Sequence, residues 1–262
     1  MISRRGPAAF IEAGSVDPVF VTGVCLFMAA DGAEPETAAP RSASKRRCLR
    51  SAARWYKVVM STYVALLRAV NVGGHAPLAM AELRRSLVGL GLRDVRTYLQ
   101  SGNVVFDADD APPPDVAAAI EVRIERDFGP RVGVRVLRAE EMARVVAANP
   151  FAAEPGVDEK ALHATFVISA ASEGDFGPAS EEAFAAVYRA GFEKLHLPAA
   201  GGERAAFVAT PALATPVVYL HLPHGYGRTK LNNAYFERAL GAAATTRNWR
   251  TVRALADLAV GQ

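Results

Sequence analysis

Cysteine is nearly absent from this chain of 262 residues, and both copies, Cys25 and Cys48, fall within the first 59. From Met60 onward there is no thiol. That excludes a disulfide framework, a cysteine-ligated zinc or iron–sulfur site and a cysteine nucleophile from the body of the protein. No run of eighteen apolar residues occurs, so no segment reads as a membrane-spanning helix. An excess of one charge is also missing from the body: residues 60–262 carry 21 Lys+Arg against 22 Asp+Glu, and the net +3 of the whole chain arises in residues 1–59. The phosphate-loop, dinucleotide-fold and nucleophile-elbow glycine patterns do not occur. What is present is core material: 51% apolar and 22% charged residues, the balance of a globular chain.

Residues 1–59 differ from the rest. Arg41, Lys45, Arg46, Arg47, Arg50 and Arg54 sit without an acid among Ser and Ala, and Asp31 to Pro40 is rich in Ala, Glu, Pro and Thr. Neither stretch has a helical or alternating apolar period. Val19 to Ala30 has the length of a signal-peptide apolar region behind Arg4-Arg5, but Glu12 and Asp17 stand in its approach. A secretory signal, a basic arm for nucleic acid or membrane, and a flexible tail remain alternatives. The expectation is an extension that is disordered or not translated, with a start at Met60.

The body reads as two α/β units, residues 60–148 and 149–262. Thr62 to Leu67 is a buried strand, and Asn71-Val72-Gly73-Gly74-His75 is a loop. Met80, Leu83, Leu87 and Leu90 mark an amphipathic helix ending at Gly91. Val95 to Leu99 and Val104 to Phe106 flank a Ser101-Gly102-Asn103 turn, giving a hairpin. Asp115 is the expected cap of a helix with Val116, Ile120, Ile124 and Phe128 on one face. Val132, Val134 and Val136 alternate as a strand. The order βαββαβ predicts a ferredoxin-like plait. After a short helix at 139–148, strands are expected at 163–169, 193–197, 204–209 and 217–222, with helices at 180–190, 229–240 and 249–258. The fold class is therefore α+β, two tandem ferredoxin-like units.

In such a plait the first crossover makes strands one and two parallel, so their C-terminal ends share one sheet edge. Asn71, Gly73, Gly74, Gln100, Ser101 and Asn103 should cluster there, beside the amino end of the first helix. Free N–H groups and the helix dipole suit that place to an anion, phosphate above all. Arg68, at the end of strand one, adds a cation. Each residue taken alone also reads as plain turn chemistry.

A second concentration lies near the C-terminus. Residues 225–262 hold six bases, Lys230 and Arg247 among them, and two acids, with Tyr226, Tyr235 and Trp249 interleaved. Base–aromatic mixtures suit a nucleic-acid strand, and equally a helix pair with a solvated basic face and a buried Trp. Asn248 or Thr246 is the expected cap of the last helix. His221 and His224 have metal-compatible spacing but no acidic or Cys partner nearby, so no metal is expected. His163 reads as an ordinary surface or edge residue. His75 is the one histidine beside the candidate edge.

Certain strings carry a resemblance. They are Tyr63-Val64-Ala65-Leu66-Leu67-Arg68-Ala69-Val70-Asn71-Val72-Gly73-Gly74, Met80-Ala81-Glu82-Leu83-Arg84, and Asp94 through Phe106. Gly227-Arg228-Thr229-Lys230-Leu231 and Ala244 through Val252 complete the set. Over residues 60–262 the chain resembles a widespread bacterial family, domain of unknown function 1697. The resemblance implies two ferredoxin-like units and names no reaction. It implies one motif of Arg68, Asn71, Gly73, Gly74, Gln100, Ser101, Gly102 and Asn103, and another of Lys230, Thr246, Arg247, Asn248 and Trp249. Two departures stand out: Ala69 replaces a usual Gly, and Ala76-Pro77-Leu78 replaces a loop that often carries Asn or Lys.

The expectation is a cytoplasmic protein, without cofactor or membrane association, that binds a nucleotide or nucleic acid. Ligand contacts are expected from Arg68, Asn71, Gly73, Gly74, Gln100, Ser101, Asn103, Lys230, Arg247 and Asn248. A small-molecule enzyme using His75 or Arg68 is one alternative. An assembly module using an open sheet face is another.

Overall fold

The computed structural model of the protein describes residues 59–71, 78–168, 189–190, 192–193, 200–209 and 216–261. All of them belong to one compact unit. The first half runs β1 (Met60–Leu67), α1 (Met80–Val88), β2 (Arg93–Tyr98), β3 (Asn103–Asp109), α2 (Pro113–Phe128) and β4 (Val134–Arg138). Its antiparallel sheet has the order β2-β3-β1-β4. Helix α3 (Ala139–Ala147) leads to β5 (Leu162–Ile168), β6 (Arg204–Val208), β7 (Val217–His221), α4 (Asn233–Leu240), β8 (Ala243–Asn248) and α5 (Trp249–Val260). The second sheet is also antiparallel, ordered β6-β7-β5-β8.

Strand β1 explains the layering. Tyr63 to Leu67 are all fully buried, so both faces of the strand are covered, which is why the segment reads as a continuous apolar run. Tyr63, Ala65 and Leu67 share a core with Leu83 and Leu87 of α1 and Ile120 and Ile124 of α2. Val64 and Leu66 share another with Met142, Val252, Leu255, Ala164, Phe166 and Tyr219. Helices α3 and α5 and the inner face of the second sheet therefore close the face of the first sheet that α1 and α2 leave uncovered. The outer face of the second sheet packs Val167, Val218 and Leu220 against Leu231, Phe236 and Leu240. An assembly role through an open first-sheet face meets side chains that have no exposure: Val64, Leu66 and Val105.

Several local boundaries differ from expectation. Helix α1 stops at Gly89, whose N–H bonds the Arg85 carbonyl, and Gly91 (φ +95°) serves the turn beyond it. Asp115 is not the cap of α2: Pro112 is, and Asp115 lies in the first turn, where its charge faces the helix dipole. Helix α4 begins at Asn233, not Thr229, because Asn232 caps it by accepting from the Tyr235 N–H. Strand β8 was not expected at all. The helix expected at 180–190 lies outside the described residues except at 189–190, which are helical. Of the strand expected at 193–197 only Glu193 is described, and it is helical with Phe192, so the strand does not begin there. Residues 1–58 also lie outside the described residues. Among the described residues no helix is long and apolar enough to cross a membrane.

Candidate functional site

The C-terminal ends of β1 and β2 and the start of β3 meet at one edge. The Leu67 N–H bonds the Gly102 carbonyl at 2.8 Å, and the Arg68 N–H bonds the Gly133 carbonyl at 2.8 Å. The chain leaves β1 through Ala69 and Asn71, both at φ +55°. The Asn71 side chain then does three things. Its Nδ2 donates to the Leu78 carbonyl (2.8 Å) and to the Gln100 carbonyl (2.9 Å), and its Oδ1 accepts from the Leu78 N–H (2.7 Å). It thus ties the two ends of segment 72–77 to each other and to the β2–β3 turn. Gly73, Gly74 and His75 lie outside the described residues. Helix α1 begins two residues after Leu78, and its N-cap, Ala79, offers no side-chain acceptor. Among the described residues no side chain caps its first N–H groups, and Glu82 lies in its first turn, facing the positive end of the dipole.

The turn Leu99–Gly102 is equally defined. Gly102 is at φ +73°, and a Cβ there would stand 2.8 Å from the Leu67 Cβ, so only glycine fits. Asn103 is fully buried; its Nδ2 donates to the Tyr98 carbonyl and to Ser101 Oγ, both at 3.0 Å. Gln100 is exposed and Ser101 half-buried.

Arg247 comes to this turn from β8, but not as an exposed phosphate grip. The residue is 8% exposed. Its Nε donates to Asn103 Oδ1 (2.5 Å), Nη1 to Thr245 Oγ1 (2.6 Å) and the Thr246 carbonyl (3.0 Å), and Nη2 to the Leu67 (2.7 Å) and Ser101 (3.2 Å) carbonyls. Five acceptors match the five N–H groups of a guanidinium. None of them is a carboxylate. Burial lowers the Arg247 pKa to about 10, which leaves it cationic at neutral pH.

Arg68 is engaged differently. It makes a two-pronged ion pair with Glu237 of α4, Nε to Oε1 at 2.6 Å and Nη2 to Oε2 at 3.0 Å. Glu237 Oε1 also accepts from the Ala244 N–H at 2.9 Å. The hydrogen bond to Glu237 raises the Arg68 pKa. The pair offsets its charge, while the Arg68 side chain stays 39% exposed.

The second motif divides. Lys230 is exposed, in the loop before α4. Asn248 caps α5 by accepting from the Thr251 N–H at 2.8 Å, as its position before Trp249 implied. Trp249 is 2% exposed and meets Tyr219 edge-on, so it belongs to the core and offers no stacking surface. Thr246 Oγ1 donates to Asn233 Oδ1 (2.6 Å) and pairs with Thr165 Oγ1 (2.8 Å). Tyr226 contacts Asn233 and stacks on His163, ring centres 5.3 Å apart. His163 is therefore no surface residue: it is 7% exposed on a central strand, and burial lowers its pKa. Sequence reasoning missed it because a strand-leading histidine looks solvated when β8 is not recognised beside it.

Among the described residues no group of three or more His, Cys, Asp and Glu is placed to hold a metal. His221 instead accepts at Nδ1 from Arg204 (3.3 Å), which also pairs with Glu154 (2.7 Å) and lies over the Phe151 ring. A shallow depression between α1 and β2 is lined by Ala81, Arg84, Arg85, Val88 and Val95, none of them an expected site residue.

Comparison with known proteins bears on family and fold. No curated protein matches the chain. Its fold is similar to that of the conserved bacterial protein SP0830 from Streptococcus pneumoniae, with a TM-score of 0.55 and 22% sequence identity, over 77% of this chain and 99% of that one. A family model described as "Protein of unknown function (DUF1697)" matches residues 60–191, just over half of the chain. That span contains the Asn71 and Gln100–Asn103 motif and stops short of Lys230 and Arg247. The chain belongs to the DUF1697 family of proteins of unknown function.

Proposed function

We propose that the edge built from Asn71, Leu78, the start of α1 and the Gln100–Ser101 turn binds a phosphate-bearing ligand, a nucleotide or a nucleic-acid strand. One observation carries the reading: side-chain donors cover the carbonyl oxygens around this edge. Asn71 takes those of Leu78 and Gln100, Asn103 that of Tyr98, and Arg247 those of Leu67 and Ser101. Carbonyl oxygens repel an anion, and their masking lowers that repulsion beside the amino end of α1. Recognition is then by the backbone N–H groups at the start of α1 and by Gln100 and Ser101. Asn103 and Arg247 act from behind this surface, and Arg68 stands beside it paired with Glu237. Lys230 remains an exposed cation for a longer ligand such as a nucleic-acid strand. We read each half as a ferredoxin-like unit, supported by the equivalent strand orders β2-β3-β1-β4 and β6-β7-β5-β8.

Titration of labelled nucleotides and of single-stranded DNA and RNA, at low and physiological salt, tests the reading. Salt-sensitive binding that Asn71→Ala weakens supports it. No binding to any of these probes at either salt removes it.

A further inference from the structure

We infer that Arg247 is a positioning residue for this edge: it shapes the Gln100–Asn103 turn and charges it from beneath, without touching the ligand. The binding half of this inference rests on the ligand reading above, and the shaping half on geometry alone.

The argument begins with what Arg247 lacks. Arg68 pairs with Glu237, Arg138 with Asp110, Arg123 with Asp127 and Arg204 with Glu154. Arg247 is more buried than any of these, and all its hydrogen-bond partners are neutral oxygens. A buried cation without an anion carries a desolvation cost, offset here by the five hydrogen bonds the guanidinium makes. Its oxygen partners solvate the charge without an opposite charge beside it, so positive potential reaches the edge whose carbonyls it holds. Within that edge lie the Ser101 and Leu67 carbonyls that Arg247 occupies, and one residue further the Gln100 carbonyl that Asn71 occupies. Through Asn103 the guanidinium also fixes the amide that holds Tyr98 and Ser101. Loss of Arg247 would free two carbonyl oxygens, release the Asn103 amide and remove a positive charge in one step. Every one of those changes disfavours an anion at the turn.

This also gives the second family motif a task. Arg247 lies on β8 in the C-terminal half, yet three of its five bonds end on Leu67, Ser101 and Asn103 in the first. The C-terminal motif thus acts on the site by holding and polarising it.

Three variants decide the matter, each read by ATP titration and by hydrogen exchange of backbone amides. Arg247→Gln removes charge and fork. Arg247→Lys keeps charge and part of the bonding, and stays informative if the Gln variant does not fold. Arg253→Gln removes an exposed charge elsewhere and controls for net charge. Expected are ATP binding about tenfold weaker in Arg247→Gln, partial recovery in Arg247→Lys and no change in Arg253→Gln. Faster exchange is expected only around residues 67–71 and 98–103. Unchanged ATP affinity in Arg247→Gln overturns the inference. So does exchange that quickens evenly through both sheets with Lys no better than Gln, because Arg247 then merely holds the fold. If the wild type itself binds no ATP, the nucleotide form of the ligand reading fails, and the exchange pattern alone still decides the shaping role.

Discussion

Ala69 occupies a backbone conformation that disfavours it. At φ +55° an L-residue with a Cβ meets the following carbonyl, and the exposed Ala69 side chain gains nothing in packing. Relief of the left-handed strain outweighs the entropy lost on fixing glycine, so Ala69→Gly is expected to be neutral to stabilising, by up to about 1 kcal/mol. Urea unfolding checks this, and a clear loss of stability would show that the bend is not strained. His163 supplies a pH prediction. Burial under Tyr226 lowers its folded-state pKa below the unfolded value. Its neutral form therefore contributes stability above the unfolded pKa of about 6.5, and that contribution is lost as pH falls through the folded pKa. The urea midpoint should decline below neutrality, and His163→Gln should flatten the decline; an equally steep fall in that variant would assign it to other groups. The sequence revealed the turn-forming character of Asn71, Gly102 and Asn103, since those residue types have local backbone roles. It concealed the burial of Arg247 and His163, because pattern reading sends polar residues to solvent, and their satisfaction depends on carbonyls far away in the chain.

The elements differ in how openly the sequence announced them. The β2–β3 hairpin was legible because its tip needs glycine. Gly102→Ala combines a disfavoured φ with a contact of 2.8 Å to the Leu67 Cβ. It is expected to destabilise by about 2–3 kcal/mol, measurable by thermal or chemical unfolding. A loss under half that would mean the turn relaxes easily and is a poor platform. Helix α5 was legible through its cap, and Asn248→Ala should lower stability by about 1 kcal/mol, read by the same unfolding assay; no loss would show the cap bond to Thr251 is not formed in solution. Strand β8 was hidden. Ala243-Ala244-Thr245-Thr246-Arg247 has no apolar alternation, and the strand forms because its backbone completes the edge of the second sheet beside β5. Without β8, nothing places Arg247 against the first half.

At the scale of the molecule, the two halves share a core made of Val64 and Leu66 from one sheet, Ala164 and Phe166 from the other, and α3 and α5. The apolar run of β1 announced a buried strand. What covers the second face was not legible, since packing between halves leaves no local period. That closure directs attention away from the sheet surface and toward the edge at Asn71, where the halves are also joined by Arg68–Glu237 and Arg247–Asn103. The most direct test of the account is an NMR titration with ATP that maps perturbed backbone amides. The account predicts saturable shifts concentrated at Asn71, Leu78 to Glu82 and Leu99 to Asn103. An absence of shifts, or shifts centred elsewhere with this edge unmoved, would contradict it.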